Sequence, residues 1–598
     1  MERSFKTEVE ALRLGDGAVF RGEGILAVTK ALLQSGVSYV GGYQGAPVSH
    51  LIDVLVDAED MMAELGVHLE TCTNEASAAA MLGASINYPL RGAVTWKSIV
   101  GTNVAADALS NLASPGVIGG AMIILGEDYG EGASVIQERS YAYAMKSSMW
   151  LLDPRPDLPT IVRCVEQGFE LSEASHAPVM LELRIRACHV TGEFTARDNR
   201  PGKYSALNRL PGPPPVFDYG RLAHPPVTFI HERLKIEDRM PAARAFIRAH
   251  KLNEIIAGDI DDIGIVVMGG LSHGVLRALE RLGLADIFGA SRIPMLVLNV
   301  VYPLLPEELT AFCAGKRAVL VVEEGHPEYI EDALNAELRR ADLQTRVLGK
   351  GPFPKAGEYT AEVMLTGLAA FLTETRPAGV GADAIAATVR GIVGRRPAAS
   401  SSLGELPARP PSFCTGCPER PVFSALKLVQ QQIGRTHISA DIGCHSFGTL
   451  PPFSMGNSIL GYGMSLASAA AVGPNMDRRT ITVMGDGGFW HNGLITGVAS
   501  NLFNKGDGVL VVMQNGYTSA TGQQFMPSSA AGRGGAAPGM DVETTLRGMG
   551  VTAQGAHLLG RHDDGRAQGS DAHRRARPQG HHRRRRVPAC PPAPGTGR

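Results

Sequence analysis

The stretch Ile481-Thr-Val-Met-Gly-Asp-Gly-Gly-Phe-Trp-His-Asn-Gly493, read on to Val509-Leu-Val-Val-Met-Gln-Asn-Gly-Tyr-Thr-Ser-Ala-Thr-Gly-Gln-Gln524, decides the fold. Ile481 to Met484 is a short apolar run that reads as a strand, and Gly485-Asp486-Gly487 lets the backbone turn sharply at its carboxyl end. Gly493 to Phe503 is suited to a crossover helix, and Val509 to Met513 is a second β-branched run, predicted as a buried parallel strand. Asp486 and Asn515 then lie just past the carboxyl ends of two strands, where open α/β sheets bind ligands. A carboxylate, an amide oxygen and nearby backbone carbonyls form a hard-oxygen set suited to Mg²⁺ on a diphosphate. Gly-Asp-Gly alone is only turn chemistry; the second strand, Asn515 and the loop through Thr521 make the pattern specific.

The chain has 598 residues, enough for about four domains. At 44% hydrophobic and 19% charged it is an ordinary globular composition. A formal net charge of −2 gives no electrostatic case for nucleic acid or an anionic membrane. No apolar run reaches the roughly 20 residues that span a bilayer, and the start lacks an apolar signal core. The expectation is a cytoplasmic protein whose eight cysteines are thiols or metal ligands rather than disulfides.

Residues 1–195 read as one α/β domain, with strand candidates at Ser38 to Gly42, Val67 to Thr71, Gly92 to Trp96, Val117 to Gly126 and Ala177 to Leu183. Ala27 to Gln34 reads as a helix, as does the small-residue stretch Ala76 to Ala84, which suits close packing on a sheet. Residues 196–262 form a Pro-rich connector with a short helix near Ala242 to His250. A smaller α/β domain over 263–375 opens at Gly264-Ile-Val-Val-Met-Gly-Gly270; its Gly269-Gly270 pair lacks a full GxGxxG and reads as a turn. A second linker covers 376–410, and the domain carrying the opening stretch covers 411–552.

The Gly-Asp-Gly…Asn arrangement resembles the diphosphate-binding motif of thiamine-diphosphate enzymes. That resemblance implies that Asp486, the Asn515 side chain and the Tyr517 carbonyl hold Mg²⁺, with Gly485, Gly487 and Thr521 lining the cofactor. Glu75 opens the small-residue helix, where an acid is favoured on local grounds alone. Its context, Thr73-Asn74-Glu75-Ala76, fits the buried glutamate with which thiamine enzymes activate the aminopyrimidine. Further stretches, Gly42-Tyr-Gln-Gly-Ala-Pro47, Thr95-Trp-Lys97 to Asp107 and Gly126-Glu-Asp128 to Arg139, resemble the alpha subunit of indolepyruvate:ferredoxin oxidoreductase, a 2-oxoacid:ferredoxin oxidoreductase. The family usually has a hydroxyl residue where this chain has Ala46, at a position expected to meet the substrate carboxylate. Lys97, Asn103 and Arg139 are candidate carboxylate or CoA contacts, each with a solvated or structural alternative. Glu323-Glu324 looks like the acidic pair of the family's transketolase-C-like domain, an organising and interface element.

Cys414-Thr-Gly-Cys417 is a C-x-x-C, and Cys444 lies further along the same domain. A buried thiol with a tight turn, a zinc knuckle and a redox pair are alternatives; no second C-x-x-C or His pair stands at zinc spacing. Three thiolates beside a thiamine site suit an iron–sulfur cluster, which normally takes four ligands. The resemblance implies a [4Fe-4S] cluster on Cys414, Cys417 and Cys444, with Glu419 where a His is usual. Its fourth ligand is missing from the expected later strand; the one cysteine beyond Cys444, Cys590, lies in Val587-Pro-Ala-Cys-Pro-Pro. From about Ala553 the sequence turns to Arg, His, Gly and Pro almost without apolar spacing. A nucleic-acid-binding run and a natural disordered extension are alternatives for 553–598; the favoured expectation is an out-of-frame end to the domain.

The resemblance thus implies an α/β fold with two thiamine-fold domains, pyrimidine and diphosphate type, and a transketolase-C-like domain. It implies oxidative decarboxylation of an aryl or branched 2-oxo acid with CoA, with electrons passing to ferredoxin. Glu75 activates the cofactor, His491 is a candidate substrate contact or a structural hydrogen bond, and Met455 supports the bent cofactor. A gamma-type subunit, for which this sequence has no room, completes an (alpha-beta)₂ assembly. A non-oxidative 2-oxoacid decarboxylase and a truncated, non-catalytic subunit are the alternatives.

Overall fold

The computed structural model describes residues 4–130, 136–211, 217–404, 411–518, 524–532, 535–536 and 539–551. The tail expectations for 553–598, including Cys590, and the assignment of Thr521 lie outside the described residues.

The first sheet has seven strands, in the order Val300–Tyr302, Trp150–Leu152, Val179–Leu183, Ala121–Gly126, Gly92–Lys97, Tyr39–Gly42, His68–Thr71. All neighbours run parallel except the first, which pairs antiparallel with Trp150–Leu152. Ala121, Ile123 and Leu125 point into one apolar core and Met122 and Ile124 into another. Burial on both faces is why these strands are continuous apolar runs rather than alternating ones. The chain therefore crosses over through helices, such as Gly24–Gln34 and Leu158–Ser175, which pack against each other on one face.

The second sheet, ordered Arg346–Leu348, Ala318–Val322, Ile263–Met268, Met295–Leu298, Glu254–Ile256, is parallel but for its last strand. Its core is continuous with that of the first: Trp96 and Leu125 belong to the same buried cluster as Ile265 and Leu320. The third sheet is smaller and all parallel: Ser458–Ile459, Ile438–Ala440, Ile481–Gly485, Val509–Met513.

Several expectations need correction. Val509–Met513 is parallel as expected, but it is an edge strand among the described residues and all five residues are half-buried. The helix expected from Gly493 begins at Asp486 and continues to Phe503, with a π register over Phe489–Ala499. Gly485, Gly487 and Gly488 have ordinary φ values, so they supply no left-handed turn. Gly487 and Gly488 are needed for close approach: a Cβ on Gly487 would lie 2.2 Å from the Tyr462 hydroxyl, and one on Gly488 2.1 Å from Asp441 Oδ2. The helix near Ala242 reaches back to Val227, through the stretch read as extended, because Ala243 and Ile247 have an apolar partner in the core under Leu158–Ser175. Ala382–Val393 and Arg395–Leu403, within the second linker, are also helical; Ile385 anchors the first against Ala361–Thr375.

Arg139 is a tie between the first and second units, not a group facing a ligand cleft. Its guanidinium bonds Glu323 Oε1 at 2.5 Å and the Pro327 carbonyl at 2.7 Å, against the stacked rings of Tyr141 and Tyr329. Glu323 also accepts the Ile330 and Glu331 amides, capping the helix Tyr329–Arg340. Beside it Arg184 pairs with Glu324, Asp153 and Glu182. Burial and the neighbouring acids Glu127 and Asp153 push the Glu182 carboxyl well above the carboxylate range. The acidic pair 323–324 is thus an organising interface element. Because Arg139 and Glu323 are both 1% exposed, Arg139→Met strands a buried carboxylate. We expect a loss of about 3–5 kcal/mol in urea unfolding, partly recovered by also making Glu323→Gln, which removes the charge but keeps an acceptor for the Ile330 and Glu331 amides.

Candidate active site

The site lies where the third sheet's carboxyl ends meet the first domain. Glu75 is the first residue of the helix Glu75–Met81 and is 2% exposed. Asn74 caps that helix by accepting the Ser77 amide at 2.9 Å, and its Nδ2 donates to the His491 carbonyl at 3.2 Å. Glu75 Oε2 and His491 Nε2 stand 2.5 Å apart, joining residues from the two ends of the chain. Gly101 makes room for this: a Cβ there would press on Trp96 and come within 2.8 Å of Glu75 Cγ.

His491 is fixed on several sides. The rings of Tyr43 and Tyr462 each lie 4.8 Å from its imidazole. Its Nδ1 is buried and has no hydrogen-bond partner among the described residues. A buried, unpaired ring nitrogen is costly unless a ligand meets it. The Tyr43 hydroxyl approaches that of Tyr462 at 3.5 Å, and Gln44 Nε2 donates to Thr518 Oγ1 at 2.6 Å. Gln524 reaches Asp53 at 3.2 Å. These contacts join the pyrimidine-type and diphosphate-type parts along one seam.

At the other end of the seam, the parallel register of Ile481–Gly485 with Val509–Met513 sets Asp486 beside the turn at Asn515. Asp486 Oδ2 accepts the Asn515 and Gly516 amides at 3.0 and 2.8 Å, and Oδ1 the Gly487 amide at 3.1 Å. Asn515 Oδ1 accepts the Tyr517 amide at 3.1 Å. Burial raises the Asp486 carboxyl to about 6 despite these donors. The oxygens of Asp486 and Asn515 are of the kind that hold Mg²⁺, and the start of the long helix from Asp486 offers amides to a phosphate. Together with the unpaired His491 nitrogen, this donor set fits a diphosphate cofactor.

The loop before this strand is pinned by a buried pair: His445 Nε2 meets Asp441 Oδ1, and Asp441 Oδ2 accepts the Gly463 amide at 2.6 Å. Asn492 Nδ2 donates to the Tyr462 carbonyl at 3.3 Å, so Tyr462 is held from both sides.

Other sequence candidates lie elsewhere. Lys97 Nζ donates to the Ala46 carbonyl at 2.7 Å, and burial lowers its pKa. Asn103 is exposed and bonds Tyr143 and Glu138. Met455 is buried among Phe413, Phe423, Ile438 and Val483, a core position rather than one against His491. Phe413 packs on Phe447, bringing the Cys414 and Cys444 loops together; Cys414 is exposed and Cys417 and Cys444 half-buried. The seven described cysteines carry no disulfide. No group of three or more His, Cys, Asp or Glu side chains is gathered for a metal ion among the described residues. Tyr43, Gln44, Asn74, Tyr462 and Thr518 were not singled out in the sequence; all but Tyr462 sit inside recognised motifs.

Residues 441–581 match the family model for the thiamine pyrophosphate enzyme C-terminal TPP binding domain. The indolepyruvate oxidoreductase subunit IorA of Methanothermobacter thermautotrophicus is 28% identical over 535 residues, 88% of this chain and 80% of that protein. The chain is a relative of the indolepyruvate oxidoreductase alpha subunits. The same-named subunit of Archaeoglobus fulgidus is 27% identical over 541 residues, 88% of this chain and 79% of its own. With the thiamine pyrophosphate domain, this similarity supports reading the chain as a thiamine-dependent oxidoreductase subunit. A solved 2-oxoglutarate:ferredoxin oxidoreductase from Magnetococcus marinus aligns at TM-score 0.44 and 16% identity over 59% of this chain and 65% of its own, too loosely to transfer geometry. No described helix is long and apolar enough to cross a membrane.

Asp486→Asn should abolish Mg²⁺-dependent thiamine diphosphate binding in calorimetry while leaving the cofactor-free protein folded. The carboxyl titrates near 3.8 when unfolded and near 6 when folded, so the folded state holds the extra proton between those values. Its ionisation therefore costs stability as pH rises through that window. The melting-temperature advantage of the Asn variant should grow from pH 4 to 6 and level off above.

Proposed function

We propose that the chain is the thiamine-bearing subunit of an enzyme that oxidatively decarboxylates an aryl, indolepyruvate-like or branched 2-oxo acid. The overall change is 2-oxo acid, CoA and two oxidised ferredoxins to acyl-CoA, CO₂, two reduced ferredoxins and a proton. The observation that carries this reading is the seam itself: the buried Glu75–His491 pair at one end and Asp486 with Asn515 at the other.

Thiamine diphosphate, when bound, supplies the nucleophilic carbon and takes up the electron pair left by CO₂ loss. Glu75 would hold the proton shared with the cofactor's pyrimidine ring, in a setting from which water is excluded. Asp486, the Asn515 side chain and the Tyr517 carbonyl would hold Mg²⁺ on the diphosphate. His491, oriented by Glu75 through Nε2, presents Nδ1 as the group to meet the reacting substrate. In this reading Cys414, Cys417 and Cys444 are soft ligands for a [4Fe-4S] cluster. They supply three of the usual four, and the described residues gather no such group, so no step is assigned to it. A gamma-type partner subunit and ferredoxin complete the assembly, which is placed in the cytoplasm.

The ungathered thiols favour a second reading, a non-oxidative 2-oxoacid decarboxylase built on the same thiamine site. Anaerobic turnover of indolepyruvate with thiamine diphosphate, Mg²⁺, CoA and the partner subunit separates the two. Viologen-dye reduction with acyl-CoA formation is the expected result; aldehyde release without dye reduction assigns the second reading. Glu75→Gln should lower turnover about 10²–10⁴-fold with little change in thiamine diphosphate affinity. Unchanged turnover in that variant would remove the central assignment.

A further inference from the structure

A 2-oxo acid brings a carboxylate into the site, and of the two candidate cations Arg139 is taken up by Glu323 while Lys97 is held on the Ala46 carbonyl. Ala46 itself has no hydroxyl. Three hydroxyls do converge within the seam. That of Tyr462 lies where a Gly487 Cβ would be, 2.2 Å from that position, and Thr518 Oγ1 lies 3.3 Å from it. The Tyr43 hydroxyl points at Tyr462 from 3.5 Å, and Gln44, next to it in the chain, donates to Thr518 Oγ1 at 2.6 Å. The group stands between the Glu75–His491 pair and Asp486, beside the unpaired Nδ1 of His491, which is 4% exposed.

We propose that the substrate carboxylate is received by the hydroxyls of Tyr462 and Thr518, with Tyr43 holding the Tyr462 phenol by donating to it, rather than by a cation alone. This deepens the functional reading above and rests on it. Tyr462 accepts from Tyr43 and keeps its own proton to donate outward. Burial pushes both phenols well above their ordinary range, so they remain donors at every working pH. Glu75, Asp486 and Asp441 all face the Tyr462 phenol. Gly487 and the bonds to Gly463 and Tyr462 hold the phenol against the start of the long helix. Ala46 is tolerated because the donors, Tyr462 and Thr518, come from the unit of the third sheet.

The test uses the full chain with its partner subunit and the variants Tyr462→Phe, Thr518→Val and Thr518→Ser. Thiamine diphosphate binding is followed by calorimetry, and phenylpyruvate binding is measured with a C2-unreactive thiamine diphosphate analogue bound. A hydrogen bond to a charged group is worth about tenfold or more in affinity. We expect Tyr462→Phe and Thr518→Val each to weaken phenylpyruvate binding and raise its KM by about that factor. Thiamine diphosphate affinity should change less than about twofold, and Thr518→Ser should restore the parental values. Weakened cofactor binding in step with the substrate would overturn the proposal by assigning the hydroxyls to the cofactor. So would a KM that responds to Lys97→Met but not to Tyr462→Phe. Failure of the parental protein to bind thiamine diphosphate would instead remove the functional reading beneath it.

Discussion

The contact between Glu75 and His491 bridges 416 positions of sequence, and the site depends on it. Two buried polar side chains from different sheets can be left without water only if they satisfy each other. Their pairing therefore obliges the loop after Gly485-Asp486 to close on the helix that starts at Glu75. Around it the other seam contacts are of the same kind: Gln44 on Thr518, Asn74 on the His491 carbonyl, Gln524 on Asp53. Each joins a polar side chain to a group on the opposite wall, so the cleft is held by directional bonds rather than by apolar area. Such a wall can keep its shape while parting to admit a ligand.

The glycines of the organising stretch show how local reading and tertiary reading differ. Gly-Asp-Gly-Gly reads as a turn because glycine permits unusual backbone angles. Here Gly485 is extended and Gly487 and Gly488 are helical, and glycine is required at the latter two because Tyr462 and Asp441 press against the backbone from outside. The physical demand is space, and only the folded chain shows what fills it. The strand ends, by contrast, were legible from apolar runs alone: Ile481–Gly485 and Val509–Met513 fall where the β-branched residues do.

The candidate site was legible in the same uneven way. Glu75, Asp486 and Asn515 stand out because their residue types and flanks are specific, and the structure seats Glu75 and Asp486 in the cleft. Tyr462 could not be found, since a tyrosine between glycines carries no pattern; its role comes from facing His491 across the sheet. Arg139 misled for the opposite reason. A basic residue near a motif suggests an anion, but the partner that claims it, Glu323, lies 184 positions away on another sheet. Long-range pairing of that sort leaves no trace in local spacing. The connector helix at 227–249 was similarly hidden, since its apolar face is defined by what it covers.

The strand Val300–Tyr302 belongs by sequence to the second unit but completes the edge of the first sheet, antiparallel to Trp150–Leu152. The two units also share one apolar interior. They are therefore not beads that recombination could shuffle independently. A fragment ending before this strand would present the backbone of Trp150–Leu152 as an open, fully apolar edge, a surface on which chains pair with one another. Separating the two units would therefore unpair one sheet's edge and divide a core, so the pair behaves as one block in folding.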